Sequence, residues 1–182
     1  TKALRKYLRK FLGDPRVVDI NPWLWKIILN LFVLPFRPKK SAKLYARIWD
    51  GESFPLITNT RNFTNNVSEE LKKIDPKGYV EVNHAFLLSP PYVNEVYDSW
   101  EEDLKKGIGA TKLLVIPMFP QYSESTIASG IDALAKELSK RVKIPTFEVI
   151  TNFHRTHAFI DNSVNKVDSK LKELKVEGKK ID

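Results

Sequence analysis

Apolar positions along the chain recur at two spacings, and the switches between them divide it into elements. Leu4, Tyr7, Leu8, Phe11 and Leu12 share one face of a basic opening helix. From Trp23 to Leu34 nearly every residue is apolar, with only Lys26 and Asn30 polar, and these two are four apart on one narrow stripe. Pro35 is expected to end that run. Ala42, Tyr45, Ala46 and Trp49 then return at helical spacing, interleaved with Arg37, Lys39, Lys40, Lys43 and Arg47. This pattern fits a greasy lip beside clustered cations, suited to a ligand that is apolar in the middle and anionic at its rim. It equally fits a buried helix followed by a solvated one.

After the turn-rich stretch from Asp50 to Pro55, a helix is predicted from about Thr58 or Thr60, burying Phe63, Val67, Leu71 and Ile74 and stopping at Asp75-Pro76-Lys77-Gly78. Tyr79 to Val82 reads as a strand. Ser89-Pro90-Pro91 opens the next helix, with Val93, Val96, Tyr97, Trp100 and Leu104 inward and Gly107 and Gly109 at its close. Lys112 to Ile116 has the continuous apolar character of a parallel strand covered on both faces. The helix after Ser123 buries Ile127, Ile131, Leu134 and Leu138, and Phe147 to Ile150 forms another strand. A last helix carries Ile160, Val164, Val167, Leu171 and Leu174, and the tail from Glu177 reads as the approach to a further strand. Strand and helix thus alternate three times, which predicts an α/β fold with parallel strands.

Composition narrows the function classes. With 182 residues, 29 % charged and 42 % apolar, the chain belongs with globular proteins of one domain or slightly more. The absence of cysteine excludes disulfides, thiolate metal sites and a cysteine nucleophile. A formal charge of +8 favours an anionic partner. Its cations are spread over several helices and form no single stripe with stacking aromatics, so no nucleic acid is expected. No segment has the roughly 20 consecutive apolar residues a membrane-spanning helix needs. The block at residues 23–34 could instead lie in a membrane interface.

Ligands of open α/β sheets gather beyond the carboxyl ends of the strands. All three histidines fall there: His84 after the first expected strand, His154 and His157 after the third. They can equally be loop residues without a role, since their spacing matches no metal motif. Beyond the second strand runs Pro117-Met118-Phe119-Pro120-Gln121-Tyr122-Ser123-Glu124-Ser125-Thr126, which places hydroxyls at a helix N-terminus. These could hold a carboxylate or phosphate, or Ser123 could simply cap its helix. No Gly-rich phosphate loop, G-x-S-x-G elbow or H-E-x-x-H motif occurs.

Several of these segments resemble ferrochelatases. They are Asp14-Pro15-Arg16-Val17-Val18-Asp19, the pair Trp23 and Trp25, the run from Leu34 to Trp49, Pro55-Leu56, the Pro117–Thr126 segment, and Asn152-Phe153-His154-Arg155-Thr156-His157-Ala158-Phe159-Ile160. The similarity covers essentially the whole chain in order. It implies a three-layer chelatase-like sheet, mostly parallel, with helices on both faces, and insertion of ferrous iron into a porphyrin, the terminal step of haem synthesis. By position, Arg37 and Tyr45 match porphyrin-contacting residues of the family, with Tyr122 and Ser123 at the same cleft. Trp23, Trp25 and Ile28 match the lip that closes over the macrocycle. His154 and His157 are the candidates for contact with the metal. The substrates implied are Fe²⁺ and a porphyrin, with no cofactor required.

The resemblance also implies that the family's catalytic His and Glu fall beyond Asp182 and its first strand ahead of Thr1. Residues 1–182 are therefore expected to be a single α/β domain of a longer two-domain protein, inactive alone, with residues 14–49 inserted before the main α/β repeat. The expected setting is cytoplasmic, with peripheral contact to the inner membrane through the apolar block. Two positions depart from the family. Its pocket serine in G-S-P-L is replaced by Phe54, and its R-Y-G-x-P reads Leu87-Leu88-Ser89-Pro90-Pro91. A non-catalytic porphyrin- or haem-binding module at a membrane surface is the competing reading.

Overall fold

The computed structural model describes residues 2–176. The chain runs through α1 (Lys2–Leu12), α2 (Pro22–Ile28), a first π turn (Leu29–Val33), α3 (Leu34–Tyr45), α4 (Pro55–Ile74) and α5 (Val93–Lys105). Then follow β1 (Lys112–Val115), a second π turn (Glu124–Ala128), α6 (Ser129–Leu138), β2 (Thr146–Val149) and α7 (His157–Val176). β1 and β2 pair in parallel with Lys112 opposite Thr146 and Val115 opposite Val149. The second π turn and α6 form the crossover between them. The class is mixed α/β with parallel pairing, as the alternation of patterns predicts.

Two apolar clusters hold the described residues together. In the first, Leu8, Leu12, Leu29 and Leu34 are buried, with Leu4, Tyr7, Phe11, Val18, Trp25 and Val33 against them. The predicted face of α1 is thus the face that packs. In the second, Tyr97, Leu134 and Leu138 are buried under Val93, Trp100, Leu113 and Val115, so α5 and α6 cover one side of the sheet. Arg141 stitches that layer, pairing with Glu137, Asp98 and Glu101. Gly107, at φ 80°, lets the chain leave α5 through a left-handed residue that a Cβ would strain.

Five expectations are corrected. The Lys112–Ile116 run is covered on one face only: Leu113 and Val115 pack under α5 and α6 while Leu114 and Ile116 stay exposed. Pro35 does not end the apolar helix. It sits in the first turn of α3, and the widened turn ahead of it, where the Leu34 N–H reaches back to the Leu29 carbonyl, lets the helix run on to Tyr45. Trp49 therefore falls beyond that helix, where its ring meets Phe54 edge-on at 4.9 Å. Tyr79 to Val82 forms no strand, because the Val80 N–H that a ladder would use donates locally to the Asp75 carboxylate at 2.8 Å. The apolar faces of α4 and α7 are not buried among the described residues: Phe63, Ile160, Val164 and Val167 all stay exposed, and Ile74 more so. The strand expected after Glu177 lies outside the described residues.

Candidate functional site

The loops that follow β1 and β2 are fastened to each other. The Pro120 carbonyl accepts the N–H groups of both Phe153 and His154 at 3.0 Å. This pair of hydrogen bonds to one oxygen brings Gln121, Tyr122, Asn152, His154 and Arg155 around an open cleft of about 460 Å³. The cleft lies beyond the carboxyl ends of the parallel strands, where this class of sheet places its ligands. Two of the expected site residues, Tyr122 and His154, line it together.

Ser123, next to Tyr122, is extended and leads into the second π turn. Its side chain makes no capping bond and instead lies 3.2 Å from the Ser125 hydroxyl. Its carbonyl does the capping work, accepting from Thr126, Ile127 and Ala128 in turn. Both hydroxyls are thus left at the surface near the cleft rather than spent on the helix. The Tyr122 phenol donates to Glu124 at 3.1 Å, and that carboxylate pushes its ionisation above the usual range.

Among the described residues, the Nδ1 of His154 is a buried side-chain atom without a hydrogen-bond partner. A buried imidazole nitrogen left unpaired is costly, so it is available to a ligand. His157 opens α7 on the exposed side. His84 is occupied elsewhere, bonded to the buried Thr64 hydroxyl at 3.1 Å and edge-on to Phe86. Among the described residues no group of three His, Asp or Glu is arranged to hold a metal ion.

The lip residues divide. Trp25 turns inward and donates its indole N–H to the Leu12 carbonyl at 2.6 Å, pinning α2 to α1. Trp23, at 78 % exposure, points out with Leu24, Ile27, Leu31, Phe32 and Phe36. Ile28 is half-buried between the two sets. Asn21 starts the segment by capping Trp23 and Leu24, with Pro22 at the first helical position. Arg37 is exposed on α3 and makes no ion pair among the described residues. Tyr45 faces Tyr7, hydroxyl to hydroxyl at 3.4 Å, and lies edge-on to Phe54 at 5.9 Å. Burial first, and the bond to Tyr45 second, push the Tyr7 phenol up to about 12.

Sequence reading missed the residue that joins these two halves. Arg16 bonds Asp132 through Nε at 2.5 Å and Nη2 at 3.1 Å, while its Nη1 pairs with Glu124 at 2.5 Å. This guanidinium holds the Asp132 carboxyl below its usual range. Lys10 over the Tyr92 ring, 4.1 Å from its centroid, is a second link. The partners lie more than a hundred residues from Arg16, so only the resemblance of its D-P-R-V segment singled the position out.

A family model described as Ferrochelatase matches residues 1–181. The chain belongs to the ferrochelatase family. It is 40 % identical to a ferrochelatase of Idiomarina loihiensis over 92 % of this chain and 44 % of that protein. A ferrochelatase of Marinobacter nauticus is 36 % identical over 93 % of this chain and 44 % of its own length. A coproporphyrin III ferrochelatase of Streptococcus mutans is 37 % identical over 87 % of this chain and 47 % of that protein. The ferrochelatase-family chain thus spans about half the length of the curated relatives it matches.

Proposed function

We propose that the protein carrying this chain inserts ferrous iron into a porphyrin, with this chain supplying porphyrin-contacting walls. Family membership over residues 1–181 carries the reading. The cleft beyond β1 and β2 supports it, as does the exposed apolar lip followed by Arg37. A tetrapyrrole has apolar faces and an anionic edge. The lip offers area to the faces, and Arg37, with no acidic partner among the described residues, offers a fork to a carboxylate. Tyr45, Tyr122 and Ser123 would contact the macrocycle. His154, with its unbonded nitrogen, and His157 are the groups that would meet the incoming iron.

The exposed residues Trp23, Leu24, Ile27, Leu31, Phe32 and Phe36 also support peripheral contact with a membrane surface. Among the described residues no helix is long and apolar enough to cross a membrane. The intact protein, given Fe²⁺ and protoporphyrin or coproporphyrin without oxygen, should lose free-porphyrin fluorescence as metalloporphyrin forms. No insertion with either porphyrin would overturn the reading.

A second reading is a porphyrin-binding protein without catalysis, favoured by Phe54. Where the family's pocket serine stands, this ring instead packs against Tyr45 and Trp49. It predicts a Soret shift on titration without metal insertion, weakened by Arg37→Ala or Tyr45→Phe. An unchanged titration in those variants counts against it.

A further inference from the structure

The Tyr122 phenol is more than half exposed, and an exposed ring with two soft side-chain torsions has no fixed direction by itself. Here its direction is imposed through a chain of charged groups. One oxygen of Glu124 accepts the phenol proton and the other is held by Arg16. Arg16 is in turn fixed from both sides. Asp132, two turns along the same helical stretch, grips its guanidinium through two nitrogens. The Asp14 side chain accepts the Arg16 backbone N–H at 2.8 Å, and the Asp14 carbonyl accepts those of Val17 and Val18. Val18 packs on the first apolar cluster, so the chain of contacts begins at the core that carries the lip and ends at the cleft.

We propose that Arg16 and Glu124 are positioning residues for Tyr122, holding its ring at the cleft with the hydroxyl proton turned away and the oxygen lone pairs presented to the ligand. This deepens the porphyrin reading and rests on it. With its proton committed to Glu124, the Tyr122 oxygen meets the cleft as an acceptor, suited to a pyrrole N–H or a cation and unsuited to a carboxylate. A phenol is already neutral across physiological pH, and Glu124 moves its ionisation further up, so the acceptor is a hydroxyl oxygen and not a phenolate. An arginine suits this task, because its planar fork serves two carboxylates at once, whereas a lysine is a single point charge.

The test is a cycle of Glu124→Ala and Tyr122→Phe in the intact protein, with Arg16→Lys beside it, read by Soret titration with free-base protoporphyrin and by phenolate absorbance. Glu124→Ala should weaken porphyrin binding by about fivefold to tenfold, and Arg16→Lys by roughly threefold. In the Tyr122→Phe background, Glu124→Ala should add less than about twofold, since the group it positions is gone. Phenolate absorbance should show one tyrosine ionising at lower pH in Glu124→Ala, a change absent from the Tyr122→Phe background. Equal loss in both backgrounds would mean a merely structural staple and would overturn the proposal, as would binding within about twofold of the parent in both single variants. If the parent protein gives no Soret shift, the porphyrin reading falls. The clamp then stands or falls on the phenol titration, and an unmoved titration in Glu124→Ala refutes it.

Discussion

The described residues contain two π turns, and they put the same backbone irregularity to opposite uses. Each widens a helix by one residue, a rare feature that tends to mark functional sites. In the first, Leu29 is buried while Leu31 and Phe32 stand out at 62 % and 64 % exposure. It lies directly ahead of Pro35, whose ring cannot approach the carbonyl four residues back, and the helix then continues through Pro38 to Tyr45. In the second, Ile127 is fully buried and Ala128 nearly so, and the extended Ser123 begins the turn. One turn therefore shows apolar surface to the outside. The other hides it, and in doing so anchors the loop that carries Tyr122 and Ser123.

That contrast can be broken by truncating each turn. Ile127→Ala should cost ~2–5 kcal/mol of stability, measured by denaturant unfolding, because it empties a fully buried site in the turn that directly follows the cleft loop. A cost under about 1 kcal/mol would mean that the second turn is not the anchor described. Trp25→Phe should cost about 1 kcal/mol by losing the indole bond to Leu12, and should loosen α2 from α1. Stability unchanged in that variant would remove the distinction between the inward and outward tryptophans.

How much of this was legible in the sequence depends on range. Helical spacing gave the inner faces of α1, α5 and α6, where burial is decided by neighbours on the same element or the next one. The apolar runs gave the positions of β1 and β2 but not their burial, since Leu114 and Phe147 stay exposed. Trp23 and Trp25 looked equivalent as lip residues. Residues two positions apart on a helix are separated by about 200° around the axis, so when Trp25 faces α1 Trp23 faces solvent. The Tyr79–Val82 strand was misread because apolar, β-favouring residues fix a strand only when a ladder partner competes successfully with a local acceptor, here Asp75. The cleft loop was legible as a motif, but its clamp was not. Arg16 has no local partner, and its pairing with Glu124 and Asp132 follows from the tertiary fold alone.

The carboxylates sharpen the comparison through pH. Hydrogen bonds from Lys140 and then Arg141 hold Glu137 below its usual range, and Arg16 does the same for Asp132. Groups whose folded values are depressed contribute stability above their unfolded values, near 4.5 for Glu137 and 3.8 for Asp132, and lose it as pH falls through the folded values. Melting temperature should therefore decline with acidification below about pH 4.5, and Glu137→Gln should flatten that decline. A profile with the same slope in the variant would refute the assignment. The smallest effect on stability belongs to the first turn: Phe32→Ala should change it by no more than about 0.5 kcal/mol. The same variant should reduce sedimentation with anionic lipid vesicles, and unchanged sedimentation would argue against membrane contact through the lip.

The most direct measurement is a Soret titration of the intact protein with protoporphyrin, comparing the parent with Arg37→Ala. Saturable binding by the parent, weakened by about tenfold or more in the variant, is the expected result for a guanidinium that receives the macrocycle's carboxylate edge. Tight binding that ignores the loss of Arg37, or no binding by the parent, would contradict the account.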